Sequence, residues 1–293
     1  MNSRDEILTR LLRHFPVKNL IEHFDTNERT QELAIVEICQ DKNDDEIFQF
    51  VSEYFPFTKQ NVSVYSIRNK YVRRRDITED ELQSKILYQD YSNNRLTIIG
   101  YNEFSNSVTY VDGQNVDNQI VEIKQPFKLV IEGNYLIISV TKMESNPKTY
   151  FDHEVAIINS TGGKSDSEII HNILNLFDSE FRVRPLQADL NKGVKELWNT
   201  DVIDAKELSF RKTSSRAKEV MDEDTLFKER YPQEYDEVMK APLELCIFRY
   251  VMEDEDWPKH FTCDPRVGKI SFTLYSENSS QVNNVIDGII GNN

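Results

Sequence analysis

The chain has 293 residues, of which 39% are hydrophobic and 11% aromatic, so it can bury a sizeable core and wholesale disorder is excluded. Its length fits one large domain or two ordinary ones. A formal net charge of −15 repels nucleic acid and anionic membranes at long range and favours basic partners.

The first 56 residues read as helices. Ser3 with Glu6 forms a capping box, and Ile7, Leu8, Leu11, Leu12 and Phe15 follow as an apolar stripe at helical spacing. Pro16 closes that helix, and a short second one covers Leu20 to Phe24. Leu33, Ile35, Val36 and Ile38 suit either a helix or a buried strand. Asn43 with Glu46 opens a further helix that Pro56 ends. Asn61 to Ile67 alternates as a strand does. An acidic helix start at Thr78 to Glu81 predicts a helix running to about Tyr88.

Residues 95–142 are β-rich. Leu96 to Tyr101, Val108 to Val111, Gln119 to Lys124, Phe127 to Ile131 and Tyr135 to Thr141 are separated by short polar segments, which predicts an antiparallel meander of hairpins. Pro126 is expected to break a strand or mark an edge. A short apolar run, Val155 to Ile158, leads into a helix from Asp166 to about Phe177. The last third mixes a helix at Val194 to Trp198, a strand at Ala205 to Phe210, a mostly helical stretch at Ser214 to Met239, and strands at Leu243 to Met252 and Lys269 to Tyr275 that are expected to pair. The chain closes on a helix with Val282, Val285, Ile286, Ile289 and Ile290 on one face. The fold class is therefore α+β: N-terminal helices, a central antiparallel meander and a C-terminal mixed α/β segment. The domain expectation is 1–143 and 165–293, with the boundary in 144–164.

The strand Val121-Glu122-Ile123-Lys124 carries the first candidate site. Metal-dependent nucleases of the PD-(D/E)xK kind hold a divalent ion between an Asp and the Glu of Glu-x-Lys, while the Lys orients water. Asp112 and Asp117 precede Glu122 and Lys124 in the right order, with Mg²⁺ or Mn²⁺ as the implied cofactor. The Pro-Asp pair is missing, and strands continue where that core would turn into a helix. Strand alternation gives the competing reading, in which Val121 and Ile123 face the core and Glu122 and Lys124 face water.

Ser160 to Ser165 is the second candidate. Gly163, Lys164 and Ser165 stand between a strand and a helix, as a phosphate-cradling loop would. Ile158 occupies the place of that motif's first Gly. Two basic stretches come third. Arg68 to Arg75 holds five cations in eight residues, including Arg73, Arg74 and Arg75, and Arg211, Lys212, Arg216 and Lys218 form the other. Acidic residues follow each, which favours local ion pairs or a charged protein interface over phosphate binding. The run Glu253 to Asp256 lacks the spacing of a Ca²⁺ loop, and the neighbouring Trp257 is a candidate interface anchor. The histidines have no second pair at zinc spacing.

Cys39, Cys246 and Cys263, with no Cys-x-x-Cys, fit reduced and buried thiols. The polar start of the chain reads as no signal peptide, and the longest nearly apolar run, Tyr135 to Val140, is far short of the roughly 20 residues of a bilayer span. A cytoplasmic location and no membrane partner are expected. Paired asparagines point to an AT-rich bacterial or phage genome. The leading functional expectation is a non-enzymatic interaction protein, an acidic inhibitor or accessory subunit docking on a basic nucleic-acid-handling partner in phage–host conflict. Arg73 to Arg75, Trp257, Val285, Ile286 and Ile289 are its candidate contacts, with self-association through the last helix. A nuclease component and a nucleotide-binding subunit are the alternatives.

Overall fold

The computed structural model describes residues 3–73, 75–142, 155–162, 165–211, 216–220, 225–252 and 256–293. In chain order the elements are α1 (Ser3–Leu12), α2 (Val17–Phe24), α3 (Gln31–Asp41), α4 (Asp44–Tyr54), β1 (Gln60–Ile67), α5 (Glu79–Leu82), β2 (Lys85–Ser92), β3 (Arg95–Asp112), β4 (Asn115–Glu132) and β5 (Tyr135–Thr141). They continue as β6 (Ala156–Gly162), α6 (Ser165–Ser179), β7 (Pro185–Gln187), α7 (Asn191–Asn199), β8 (Ile203–Arg211), β9 (Arg216–Val220), α8 (Phe227–Arg230), α9 (Pro232–Lys240), β10 (Cys246–Tyr250), β11 (His260–Asp264), β12 (Lys269–Phe272) and α10 (Gln281–Gly291). The class is α+β, with helices first, an antiparallel meander next and mixed elements last.

The chain forms two compact units. One draws on residues 1–55, 69–133 and 140–184, the other on 56–68, 134–139 and 185–293. Residues 143–154 and 163–164, which include most of the expected boundary, lie outside the described set.

In the first unit, β2, β3 and β4 follow one another as antiparallel hairpins, and β6 pairs with the outer half of β3 beyond the end of β2. The turns are chemically specified. Asn93 and Asn94 both sit at positive φ (52° and 61°), as a two-residue type I′ hairpin demands, and Gly113 takes φ 60° at the tip of the β3–β4 hairpin. Helices α1 to α4 pack through Leu8, Leu11, Leu12, Phe15, Ile35, Ile38, Ile47 and Phe50, together with Tyr101 from β3. Asn43 and Glu46 close the capping box at the start of α4 in both directions, each bond 3.0 Å.

Several expectations are corrected. The ambiguous segment at Leu33 to Ile38 is helix α3, capped by Thr30. The helix expected to reach Tyr88 stops at Leu82, because Gln83 enters the left-handed region (φ 52°) and the chain turns into β2. The segment Asn102 to Ser107 is strand: β3 and β4 are two long strands paired continuously from Leu96↔Ile131 to Asp112↔Asn115. Pro126 sits inside that ladder opposite Tyr101 and breaks nothing. The capping side chains of Ser3 and Glu6 lie outside the described residues.

In the second unit the strand order is β5, β1, β12, β11, β10, β8, β9, with β7 also on β1. The two late strands expected to pair are separated by β11, which lies between β10 and β12. Residues 216–220, expected to be helical, form strand β9 on β8. Helix α10 buries Val282, Val285, Ile286 and Ile289 within this unit. All three cysteines are free and buried. No helix among the described residues is long and apolar enough to cross a membrane.

Candidate functional site

The register of β3 and β4 decides what the Glu-x-Lys strand can do. Asp112 pairs with Asn115 and Asp117 with Tyr110, whereas Glu122 pairs with Ser105 and Lys124 with Glu103. Side chains alternate along a strand, so Asp112 and Asp117 share one face of the hairpin and Glu122 and Lys124 share the other. Asp117 and Glu122 are also five residues apart, roughly 17 Å along the strand. The hairpin does not bring either aspartate to Glu122. Among the described residues no group of three or more His, Cys, Asp or Glu side chains is placed to hold a metal ion.

Lys124 corrects the expectation that it faces water. Val121 and Ile123 are buried and Glu122 is exposed, but Lys124 is only 2% exposed. Helix α1 covers this part of β4. The Arg10 guanidinium donates to the Glu122 carbonyl oxygen, and His14 Nε2 donates to the Lys124 carbonyl oxygen at 2.9 Å. The buried ammonium meets Glu103 at 2.6 Å and lies 5.9 Å from the centroid of the Tyr101 ring. It joins the half-exposed Glu103 carboxylate to the buried Tyr101 ring.

A buried charge that loses its partner is costly, whereas an apolar isostere is tolerated. Glu103 is 48% exposed, which moderates the effect. Glu103→Gln is expected to cost about 2 kcal/mol in urea unfolding, Lys124→Met less than about 1, and the exposed Glu122→Ala within about 0.5. A Lys124→Met loss larger than that of Glu103→Gln would show that the ammonium has another essential partner.

The other sequence candidates are placed as follows. Gly163 and Lys164 lie outside the described residues, and Ser165 is the first residue of α6 with its side chain outside them. The preceding strand, β6, pairs antiparallel with β3, unlike the parallel strand that leads into a phosphate loop. Arg73 pairs with Asp76, and Arg75 donates twice to Glu81, holding that carboxyl down at a pKa of about 2. Arg74 is outside the described residues, as are the side chains of Arg211, Lys212, Arg216 and Lys218. Residues 253–255 also lie outside; Asp256 accepts from Asn278 Nδ2 at 2.7 Å. Trp257 is half-buried and stacks on Tyr250. Val285, Ile286 and Ile289 are buried in their own unit, which corrects their assignment as a docking face.

What the structure does assemble in the first unit is an acidic groove of about 830 Å³ between α4, α5, β2 and β3. Helix α4 has two working faces. Ile47, Phe50 and Val51 enter the core, while Asp45, Phe48, Gln49 and Ser52, spaced three and four residues apart, line the groove with Glu53. Opposite stand Glu79, Lys85, Tyr88, Ile99 and Tyr101. Lys85 is the cation of the lining, and Glu79 takes it at 2.8 Å; that carboxylate also accepts from the Ile86 backbone N–H at 3.2 Å. These bonds hold the Glu79 carboxyl below its usual range, first through Lys85 and then through Ile86.

The phenol of Tyr101 belongs to a buried residue of the lining. Its pKa is pushed up to about 12, chiefly by burial and then by the negative charges of Glu103, Glu79 and Asp44. Tyr88, 45% exposed, adds an open aromatic surface at the rim. Chemically the groove offers carboxylates and ring faces, which suit an ammonium or guanidinium on an apolar stem. The sequence reading missed this site. Asp45, Phe48, Gln49 and Ser52 show in the sequence as a polar stripe on α4, but nothing local says that β2 lies across from it.

No protein-family model matches the chain, and no curated protein matches it.

Proposed function

We propose that this is a non-catalytic protein-binding module whose acidic groove takes a basic segment of a partner protein. The observation that carries this reading is the lining: Asp45, Glu53 and Glu79 around Phe48, Tyr88 and Tyr101, with Lys85 already engaged by Glu79. A lysine or arginine of the partner gains the carboxylates at its head and the aromatic rings along its stem. The chain-wide charge of −15 adds long-range steering toward basic surfaces. Proteins that handle nucleic acid present such surfaces, so an inhibitor or accessory subunit acting on one of them is the specific role we assign.

The test is fluorescence anisotropy with a labelled peptide of alternating Lys and Leu, and with its Glu–Leu counterpart. The basic peptide is expected to bind and the acidic one not. The double variant Asp45→Asn/Glu53→Gln should weaken binding about tenfold, and raising salt from 50 to 300 mM should weaken it further. Equal affinity of wild type and variant, at equal melting temperature, would remove the groove from the account.

A further inference from the structure

One turn of the first unit presents cations that no carboxylate of the unit takes up. Asn69 donates its backbone N–H to the Val183 carbonyl at 3.2 Å and its Nδ2 to the Arg182 carbonyl at 2.6 Å. Lys70, Arg182 and Arg184 each stand next in sequence to a residue of that backbone bond, and all three are exposed. Their neighbours anchor them: Val183 is fully buried, and Tyr71 packs on Phe177 and Phe181 with ring centroids 5.8 and 5.4 Å apart. Arg182 and Arg184 hold φ at 54° and 53°, a region that residues other than glycine adopt at a cost. Among the described residues none of the three side chains makes an ion pair or hydrogen bond. The nearby Arg73 and Arg75 are taken up by Asp76 and Glu81. Asp178 and Glu180, at the end of α6 and just beyond it, are exposed and pair with none of the three.

The same unit carries the complement of this patch. The acidic groove holds Asp45, Glu53 and Glu79, with Lys85 engaged by Glu79. Patch and groove open on opposite sides of the β2–β3 hairpin. Ile99 and Tyr101 line the groove, whereas Tyr91 pairs with Leu96, whose side chain points the other way along β3. Tyr71, beside Lys70, meets Tyr91 on that other face with ring centroids 6.0 Å apart. A chain therefore does not close this contact on itself, and it falls to a second copy.

We infer that the acidic groove of one copy of this chain takes the Lys70, Arg182 and Arg184 patch of a second copy. The inference rests on the reading of the groove as a site for basic segments and adds this chain itself as an occupant. Two arginines suit it, because a guanidinium takes a carboxylate at two points and lies flat on rings such as those of Phe48 and Tyr88. The contact joins unlike surfaces, so assembly is head-to-tail, and each added copy leaves one patch and one groove open. Two chains of net charge −15 repel one another at long range. At about 0.15 M salt charges act over about 8 Å, so groups in contact keep their attraction while the distant remainder is screened. Self-assembly of this kind competes with a partner's basic segment for the one groove.

The test is sedimentation of the whole chain from about 5 to about 500 µM in about 0.15 M salt. The average mass is expected to rise with concentration. Arg182→Glu/Arg184→Glu, which lacks a working patch, and Asp45→Asn/Glu53→Lys, which lacks a working groove, should each remain single chains. Mixed in equal amounts they should form a two-chain complex and nothing larger, because one intact patch meets one intact groove and both remaining ends are blocked. That recovery also shows that both variants are folded. The milder Arg182→Gln/Arg184→Gln should weaken assembly about tenfold. A wild type that stays a single chain throughout, a patch variant that assembles as the wild type does, or a mixture that does not associate would each overturn the proposal. If the Lys–Leu peptide still binds the groove in that case, only the second copy is removed as its occupant; if the peptide fails as well, the reading of the groove falls with it.

Discussion

Gly193→Ala is expected to lower the stability of the second unit by about 3 kcal/mol or more, a fall of about 6–10 °C in Tm. Gly193 lies in the first turn of α7, where that helix crosses α10. A methyl group built there would stand 1.9 Å from the Ile289 carbonyl oxygen and 2.8 Å from its carbon. Both are backbone atoms, so no rotamer change relieves the contact and the two helices must separate by more than 1 Å. The crossing is tied in other ways that separation would break. Asn293 Oδ1 accepts from the Gly193 N–H at 3.2 Å, and Lys192 Nζ donates to the Asn293 carbonyl at 3.0 Å. Val285 and Ile289, fully buried, would lose their packing with it. Gly291→Ala, in α10 itself, is the matched control. No atom lies within 4 Å of its added methyl, so it should leave Tm unchanged or raise it slightly. Thermal unfolding of the two variants side by side checks the argument. A Gly193→Ala protein that melts within about 2 °C of the Gly291→Ala protein would show that α7 and α10 can move apart at little cost.

Helix α10 also shows what the sequence could and could not say. Val282, Val285, Ile286 and Ile289 are legible as one apolar face, because a 3.6-residue period is a local property. What covers that face is not local. Its partner surface includes α7, some ninety residues earlier, and the glycine that permits the approach is a single unremarked residue in Asn-Lys-Gly-Val. The central meander was legible for a related reason, since β-branched runs and turn residues both lie within a few positions of one another. Its strand lengths were not. Asn102 to Ser107 is polar and resembles a turn, but its backbone is held by the β4 ladder and needs no apolar pattern of its own. Lys124 makes the same point for the site. Period two correctly places it beside Glu122 on one face, yet only the position of α1 decides that this face is covered at Lys124 and open at Glu122. The acidic groove required two elements far apart in sequence, α4 and β2, so composition could give its charge but not its location.

Acidification is expected to destabilise the first unit through His14. The imidazole is crowded between the Lys124 carbonyl, which accepts from Nε2 at 2.9 Å, and the backbone of Lys142. Its pKa is lowered to about 4, chiefly because protein atoms have displaced the water that would solvate a cation; the hydrogen bonds to the Lys124 and Lys142 backbone oppose the shift without cancelling it. Unfolded, the same side chain titrates near the ordinary value of 6.5. Between those two values the unfolded chain takes up a proton that the folded chain refuses, so stability falls as pH drops from about 6.5 toward 4 and this contribution levels off below. Part of His14 reaches solvent, which reduces the effect to about 2 kcal/mol by pH 4.5. His14→Gln keeps a side-chain N–H for the Lys124 carbonyl and removes the titration. At pH 7.5 the variant should lose about 1 kcal/mol or less, and by pH 4.5 it should match or exceed the wild type. The carboxylates titrate in both proteins, so urea midpoints measured across this range isolate the histidine as the difference between two curves. Parallel curves from pH 7.5 to 4.5 would mean that the folded protein accepts the proton at His14 as readily as the unfolded chain does.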